Sequence, residues 1–256
     1  MTRSLAAIIP AAGRGSRLKP FPCPKELFPV GYQDVRIDGA LEKRPKVVSQ
    51  YLLEHMVSAG AEQVFIVLGE GKSDIMQYYG NGTRFGAHVS YLFQEELHGM
   101  PYAIDLARPW LDDHTVLFGM PDTIIEPADC FSQLLAFHDR HGADLTLALF
   151  PTDNPSKFGM VDMDENNDVI WTYDKPETSD LPCTWGACCW SPAFTALIGE
   201  YLGNLKPGSR EVVLGDVFNH AIERKMRVKA TSFEGAKYID IGTTAELNLA
   251  LQQFNL

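Results

Sequence analysis

The run from Ile8 to Val30, IIPAAGRGSRLKPFPCPKELFPV, constrains this chain more than any other stretch. Leu5 to Ile9 is a short apolar run that reads as a buried strand, and it feeds the small-residue turn Ala11-Ala12-Gly13-Arg14-Gly15-Ser16. Arg17 and then Lys25 follow. A strand, a glycine turn and two cations present backbone N–H groups and positive charge to phosphates. Two familiar phosphate motifs do not fit. A dinucleotide fingerprint needs a third glycine where Leu18 stands, and Gly-Lys-Ser/Thr is absent. Pro20, Pro22 and Pro24 also forbid the helix into which both motifs run. Arg17 and Lys25 are therefore expected on a stiff, extended loop over a nucleotide.

The rest of the first half alternates strands and helices. Gln63–Leu68, His88–Phe93, Thr115–Gly119 and Leu145–Phe150 read as strands. Pro45–Gly60, Ser73–Tyr79, Tyr102–Ala107 and Phe131–His141 read as helices. This rhythm predicts an α/β fold with a Rossmann-like, mostly parallel sheet flanked by helices on both faces. From about Pro151 a small β-rich lobe is expected. Phe158–Val161 and Val169–Tyr173 flank a polar turn, Thr184–Trp190 can pair with them, and Val228–Phe233 and Lys237–Ile239 follow. Helices are expected at Ala193–Leu202, Leu214–Arg224 and Ala245–Phe254. We read one domain over 1–256, with a nucleotide-binding half to about 150 and a sugar-phosphate-binding half from about 151.

Net charge of −11 argues against a nucleic-acid or anionic-membrane partner, since those select basic patches. The five cysteines show no CxxC or zinc spacing, which suits buried thiols in a reducing compartment. No run approaches the ~20 apolar residues of a membrane span. A cytoplasmic protein is expected.

Ligands of open α/β sheets collect at the carboxyl ends of strands. Asp122 and Asp240 are expected at two such ends. Two carboxylates converging on a phosphate loop suit Mg²⁺, which takes oxygens from one or two carboxylates plus substrate phosphates. Read alone, Pro121-Asp122 also fits a β-turn and Asp240 a helix cap. Lys175 can reach a second phosphate and Asp174 can accept sugar hydroxyls, although Asp174-Lys175-Pro176 also fits a solvated strand end. Gln94, five residues before Gly99, has the donor and acceptor needed to read a pyrimidine edge, or is a surface amide. Asp162, Asp164, Asn166 and Asp168 mimic a calcium loop. Asn167 takes the place of its glycine and Tyr173 that of its glutamate, so a hairpin tip is expected. The scattered histidines carry no metal or triad spacing.

With these residues in hand, the chain resembles the sugar-phosphate nucleotidylyltransferases, a family of nucleotide-diphospho-sugar transferase type that includes thymidylyl and uridylyl enzymes. Ala12 to Leu18 and Pro24 to Val30 look like its signature loop, and Gly82 to Gly86, Gln94 and Gly99 like its base-binding region. Met120 to Thr123 and Tyr238 to Thr243 look like its two metal segments. Phe158 to Val161, Asp174 to Pro176 and Trp185 to Ala187 look like its sugar-phosphate strands, and Arg210-Glu211 with Asp216-Val217 like the helix region that follows. The resemblance implies transfer of a nucleotidyl group from an NTP, dTTP or UTP, to a sugar 1-phosphate. It implies Arg17, Lys25, Asp122 and Lys175 as catalytic residues, and Asp122 and Asp240 as ligands of Mg²⁺. Ala12, Gly13, Gly15, Ser16, Gln94 and Gly99 would bind the nucleotide. Phe158, Gly159, Asp174, Lys175 and Gly186 would bind the sugar phosphate.

Several positions depart from the pattern. The Arg17–Lys25 loop is two residues shorter than usual, and Gly31 to Lys43 are about a dozen extra residues. Pro121 stands for a glycine, Asp174 for a glutamate and Phe158 for a tyrosine. The chain stops at Leu256, where longer thymidylyltransferases carry assembly helices. The sugar and a homo-oligomeric state stay open. A nucleotide-sugar-dependent glycosyltransferase would want an Asp-x-Asp pair at a strand end, whereas Asp162-Met163-Asp164 falls on the hairpin. A non-catalytic sensor would not need both metal carboxylates.

Overall fold

The computed structural model of the chain describes residues 4–205, 211–233 and 235–254. Arg210, read above as part of a substrate region, lies outside them. The first strand, β1 (Ser4–Ala11), explains its own composition. Ala6 and Ile8 enter one core while Ala7, Ile9 and Ala11 enter another, so both faces are buried and the strand reads as an unbroken apolar run.

Two single turns of 3-10 helix, Ser16–Leu18 and Lys25–Leu27, punctuate the proline-rich loop. Strands β2 (Pro29–Ile37) and β3 (Ala40–Val47) precede α1 (Val48–Ser58). Then come β4 (Gln63–Leu68), α2 (Ser73–Tyr79), β5 (His88–Phe93), α3 (Met100–Asp105), β6 (His114–Gly119) and β7 (Thr123–Glu126). The chain continues through α4 (Cys130–His141), β8 (Leu145–Pro151), β9 (Gly159–Met163), β10 (Val169–Asp174) and β11 (Cys183–Trp190). It ends with α5 (Pro192–Gly203), α6 (Leu214–Glu223), β12 (Val228–Ser232), β13 (Lys237–Asp240) and α7 (Thr244–Gln253).

The main sheet is parallel across β5-β4-β1-β6. Beside β6, β11 runs antiparallel, and β11 in turn pairs β8, which carries β12 parallel to it. Because β6 and β8 belong to the first half of the chain and β11 to the second, one sheet crosses both halves. The expected α/β build is seen, with helices on either face. One core packs α3, α5 and α6 through Ile104, Phe194 and Phe218. The other packs α1, α2 and α4 through Leu53, Ile75 and Phe131. Among the described residues no helix is long and apolar enough to cross a membrane.

One segment given no element in the sequence reading forms one, and three readings need correction. The segment Gly31 to Lys43 is most of a β2–β3 hairpin, closed by Asp38 and Gly39 at φ 49° and 87°, the two positive values of a type I′ turn. The helix read from Pro45 starts at Val48, because Pro45 pairs with Tyr32 in that hairpin. Strand β11 meets β9 only at Thr184 and Met160, and its main partners are β6 and β8. Finally, β13 is not a strand of the main sheet. It pairs antiparallel with β7, a strand the sequence did not reveal.

Candidate active site

The signature loop folds back on itself. Gly15 takes a left-handed φ of 60°, and the Lys25 side chain runs across it. The turn Lys25–Leu27 then splits its two charged residues, Lys25 outward and Glu26 inward. Glu26 is buried, with the Lys72 ammonium donating to Oε2 at 2.7 Å. Burial pushes the Glu26 carboxyl above its ordinary value despite that ammonium. The Ser49 hydroxyl donates to the Glu26 backbone carbonyl at 2.6 Å, a second tie from behind the turn. Lys25, fixed in this way, donates its Nζ proton to Asp122 Oδ2. Burial opposes the Lys25 charge, but Asp122 outweighs it and the lysine pKa is raised.

The β7–β13 ladder brings the carboxylates together. Asp122 immediately precedes Thr123, which pairs with Asp240, and the Ile241 N–H donates to the Asp122 carbonyl at 3.0 Å. Burial first, then the charges of Asp122 and Glu246, raise the Asp240 pKa to about 6. Arg17 stands at the Asp240 end. A Cβ on Gly242 would lie 3.0 Å from both Arg17 Nη2 and the Asp240 oxygens. Lys25 thus offsets the charge of both carboxylates, Asp122 foremost, while Arg17 lies beside Asp240 and its positive charge acts on Glu246.

Cavities form a continuous trench along the Asp122 side of this pair. One of about 740 Å³ is bounded by Ala12, Gly15, Lys25, Lys72 and Gln94. A second, about 270 Å³, shares Ala12, Lys25 and Gln94 with it and adds Gly13, Gly99 and Asp122. A third, about 210 Å³, holds Phe158, Gly159, Asp174, Lys175 and Trp185. Gln94 is buried, its amide Nε2 lying 3.4 Å from the Gly99 carbonyl. Gly99 itself, at φ 117°, packs against Val212 so closely that a Cβ would stand 2.1 Å from the Val212 carbonyl. Only glycine lets the base-side loop meet the sugar-side segment there.

Four expected residues bound none of these three cavities: Ser16, Arg17, Gly186 and Asp240. Ser16 and Arg17 are exposed, and Asp240 borders an adjoining cavity of about 600 Å³ together with Glu246. A Cβ on Gly186 would lie 2.4 Å from the Tyr238 ring, so its smallness lets Tyr238 lie flat, stacked 5.3 Å from Phe150, as a wall two residues before Asp240. Asp174 and Lys175 are exposed at the end of β10, where Lys175 holds a left-handed φ of 44° and its N–H donates to the Phe158 carbonyl at 3.1 Å. The calcium-like run is a hairpin tip. Asp164 Oδ1 accepts the N–H groups of Asn166 and Asp168 at 2.9 and 2.8 Å, which leaves the Asp162–Asp164 pair on a turn. Sequence reasoning missed Lys72 and Tyr238. Lys72 carries no motif, and Tyr238 was quoted without a role.

The chain is similar to proteins that share this arrangement of elements. It is 25% identical to glucose-1-phosphate thymidylyltransferase of Streptomyces antibioticus, over 95% of this chain and 64% of that protein. It is 27% identical to UTP–glucose-1-phosphate uridylyltransferase of Staphylococcus epidermidis, over 94% of this chain and 89% of that one. It spans about three fifths of the length of the first curated relatives it matches. A Bacillus anthracis protein described as a glucose-1-phosphate thymidylyltransferase, crystallised with sucrose, superposes at a TM-score of 0.83 and 20% identity over 98% of this chain and 95% of its own, a likeness of fold. The family model described as nucleotidyl transferase matches residues 6–255, nearly every element that builds the trench, and this chain therefore belongs to the nucleotidyl transferase family.

Proposed function

We propose that this protein transfers the nucleotidyl group of dTTP or UTP to a sugar 1-phosphate, releasing pyrophosphate. One observation carries the proposal: Asp122 and Asp240 meet where two cavities adjoin, Asp122 bordering one and Asp240 the other, with Lys25 bonded to Asp122 and Arg17 beside Asp240. A phosphate oxygen of the sugar phosphate attacks the α-phosphorus, and the bond from that phosphorus to the β-phosphate oxygen breaks. The sugar phosphate is already a nucleophile, so the protein's task is positioning and neutralisation of charge. The Ala12-Gly13-Gly15 turn would cradle the triphosphate, with Ser16 beside it. Lys25 and Arg17 would neutralise the α-phosphate and the leaving pyrophosphate. Gln94 and Gly99 would hold the base, and relatives named for thymidylyl and uridylyl transfer support a pyrimidine. Lys175 would grip the sugar phosphate, with Asp174, Phe158 and Gly159 around the sugar.

Nucleotidyltransferases of this family are generally divalent-metal dependent. Asp122 and Asp240 fit an Mg²⁺ ion, being two oxygen donors whose mutual repulsion a cation relieves. Among the described residues no group of three or more metal-ligating side chains occurs, so phosphate and water oxygens would complete the shell. Bound there, the ion would supply charge stabilisation to the phosphates. The test is pyrophosphate release from a panel of NTPs crossed with sugar 1-phosphates, with and without Mg²⁺. We expect release only when both substrates and the metal are present, with mass spectrometry naming the product. Nucleotide binding without turnover for any pair would favour a sensor instead.

A further inference from the structure

Lys157 has no part in the roles assigned so far. It ends a turn, Pro155–Lys157, between β8 and β9, and its side chain borders two cavities. One is the 210 Å³ cavity of Asp174 and Lys175. The other, about 600 Å³, reaches Asp240 and Glu246. Lys157 and Lys175 are near neighbours across the ladder, because the Lys175 N–H bonds the carbonyl of Phe158. Two lysines from facing segments therefore flank the pocket in which a sugar phosphate would sit.

Lys157 Nζ donates to Glu246 Oε1 at 2.8 Å, on the first turn of α7, 89 residues along the chain. The other oxygen of Glu246 accepts from the Thr243 hydroxyl at 2.8 Å. Burial opposes the Glu246 charge, but the bonds from Lys157 and Thr243 and the positive charges of Lys157 and Arg17 outweigh it and hold the carboxyl below its ordinary range. One carboxylate thus serves two cations beside Asp240. The Lys157 side chain is 45% exposed, and an ion pair that open to water is weak, so the lysine can exchange partners at small cost. A phosphate dianion is the stronger partner for it.

We propose that Lys157 is a second phosphate-binding cation for the sugar 1-phosphate, beside Lys175, and that Glu246 is the counter-ion that keeps it poised at the rim. This rests on the function proposed above. The test is calorimetric titration of the wild type with the sugar 1-phosphates of that panel, and separately with the NTPs, repeated with Lys157→Ala, Lys157→Arg and Glu246→Gln. Turnover is not needed, so a failure of the transfer reaction is read independently. Lys157→Ala should weaken binding of the best sugar phosphate by about tenfold or more, the scale of one charge-assisted bond, with NTP affinity within about twofold. Lys157→Arg should restore it, and Glu246→Gln should bind at least as tightly as wild type. The proposal is overturned by no sugar phosphate binding at all, or by unchanged affinity in Lys157→Ala. It is equally overturned if Lys157→Ala and Glu246→Gln weaken both ligands alike and lower the melting temperature together, as a structural tether would.

Discussion

Asp122→Asn is expected to reduce pyrophosphate release by about two to three orders of magnitude, the scale on which one preorganised electrostatic contact acts. Asp122 is the anion on which Lys25 rests and the stronger of the two charges that raise Asp240. Asparagine keeps the shape and the backbone carbonyl that accepts from Ile241, so the β7–β13 ladder should persist and the melting temperature should hold. What is lost is one metal oxygen's charge and the placement of Lys25. Near-normal turnover in this variant, with Mg²⁺ saturating, would place the metal elsewhere. The pH dependence has a definite sign. Burial and the Asp122 charge raise the Asp240 pKa to about 6, and a metal competes with the proton there, so wild-type metal affinity should weaken as pH falls through that value. Removing the Asp122 charge lowers the Asp240 pKa and moves that loss to lower pH.

Lys72→Met should be the most damaging stability change near the site. The Glu26 carboxylate is 1% exposed, and Lys72 is its cation. Removing one partner leaves a buried charge uncompensated, at a cost of about 3–5 kcal/mol, whereas exposed ion pairs such as Lys43–Asp34 matter little. The sign of the pH effect again follows. Burial already raises Glu26 above 4.5, and without Lys72 it rises further. A carboxyl raised in the folded state favours folding below its unfolded pKa and loses that benefit as pH rises through the folded value. The Lys72→Met deficit should therefore shrink toward pH 4.5 and grow toward pH 8, as read by urea unfolding. Adding Glu26→Gln should restore part of the loss at pH 8. A deficit below about 1 kcal/mol, or one independent of pH, would show that the pair is incidental to the loop.

The parts of this protein that could be read in advance were those whose cause is local. Gln63–Leu68, Ser73–Tyr79 and His88–Phe93 are found with the bounds read from sequence, because an apolar run or a 3.6-residue spacing states its own partner surface. The β2–β3 hairpin was partly legible. Asp38-Gly39 after Gln33–Ile37, where Val35 and Ile37 alternate with polar residues, is a strong turn signal, but Leu41–Lys46, Leu-Glu-Lys-Arg-Pro-Lys, shows no alternation to mark the second strand. The β7–β13 ladder was not legible. Four residues, Thr123–Glu126, show little pattern, and their partner lies more than a hundred positions away. Yet that ladder joins Asp122 to Asp240. Lys72 was hidden for a similar reason, since nothing local marks a lysine that will be buried against a glutamate 46 residues earlier.

The central claim is that Asp122 and Asp240 act as one unit on one metal-bound triphosphate. A double-mutant cycle on pyrophosphate release, with Asp122→Asn, Asp240→Asn and the two combined, tests it most directly. Residues that hold a single ion fail together, so the double variant should lose no more than about tenfold beyond the worse single one. Losses that multiply, at unchanged melting temperature, would mean that the two carboxylates work independently and would contradict the account.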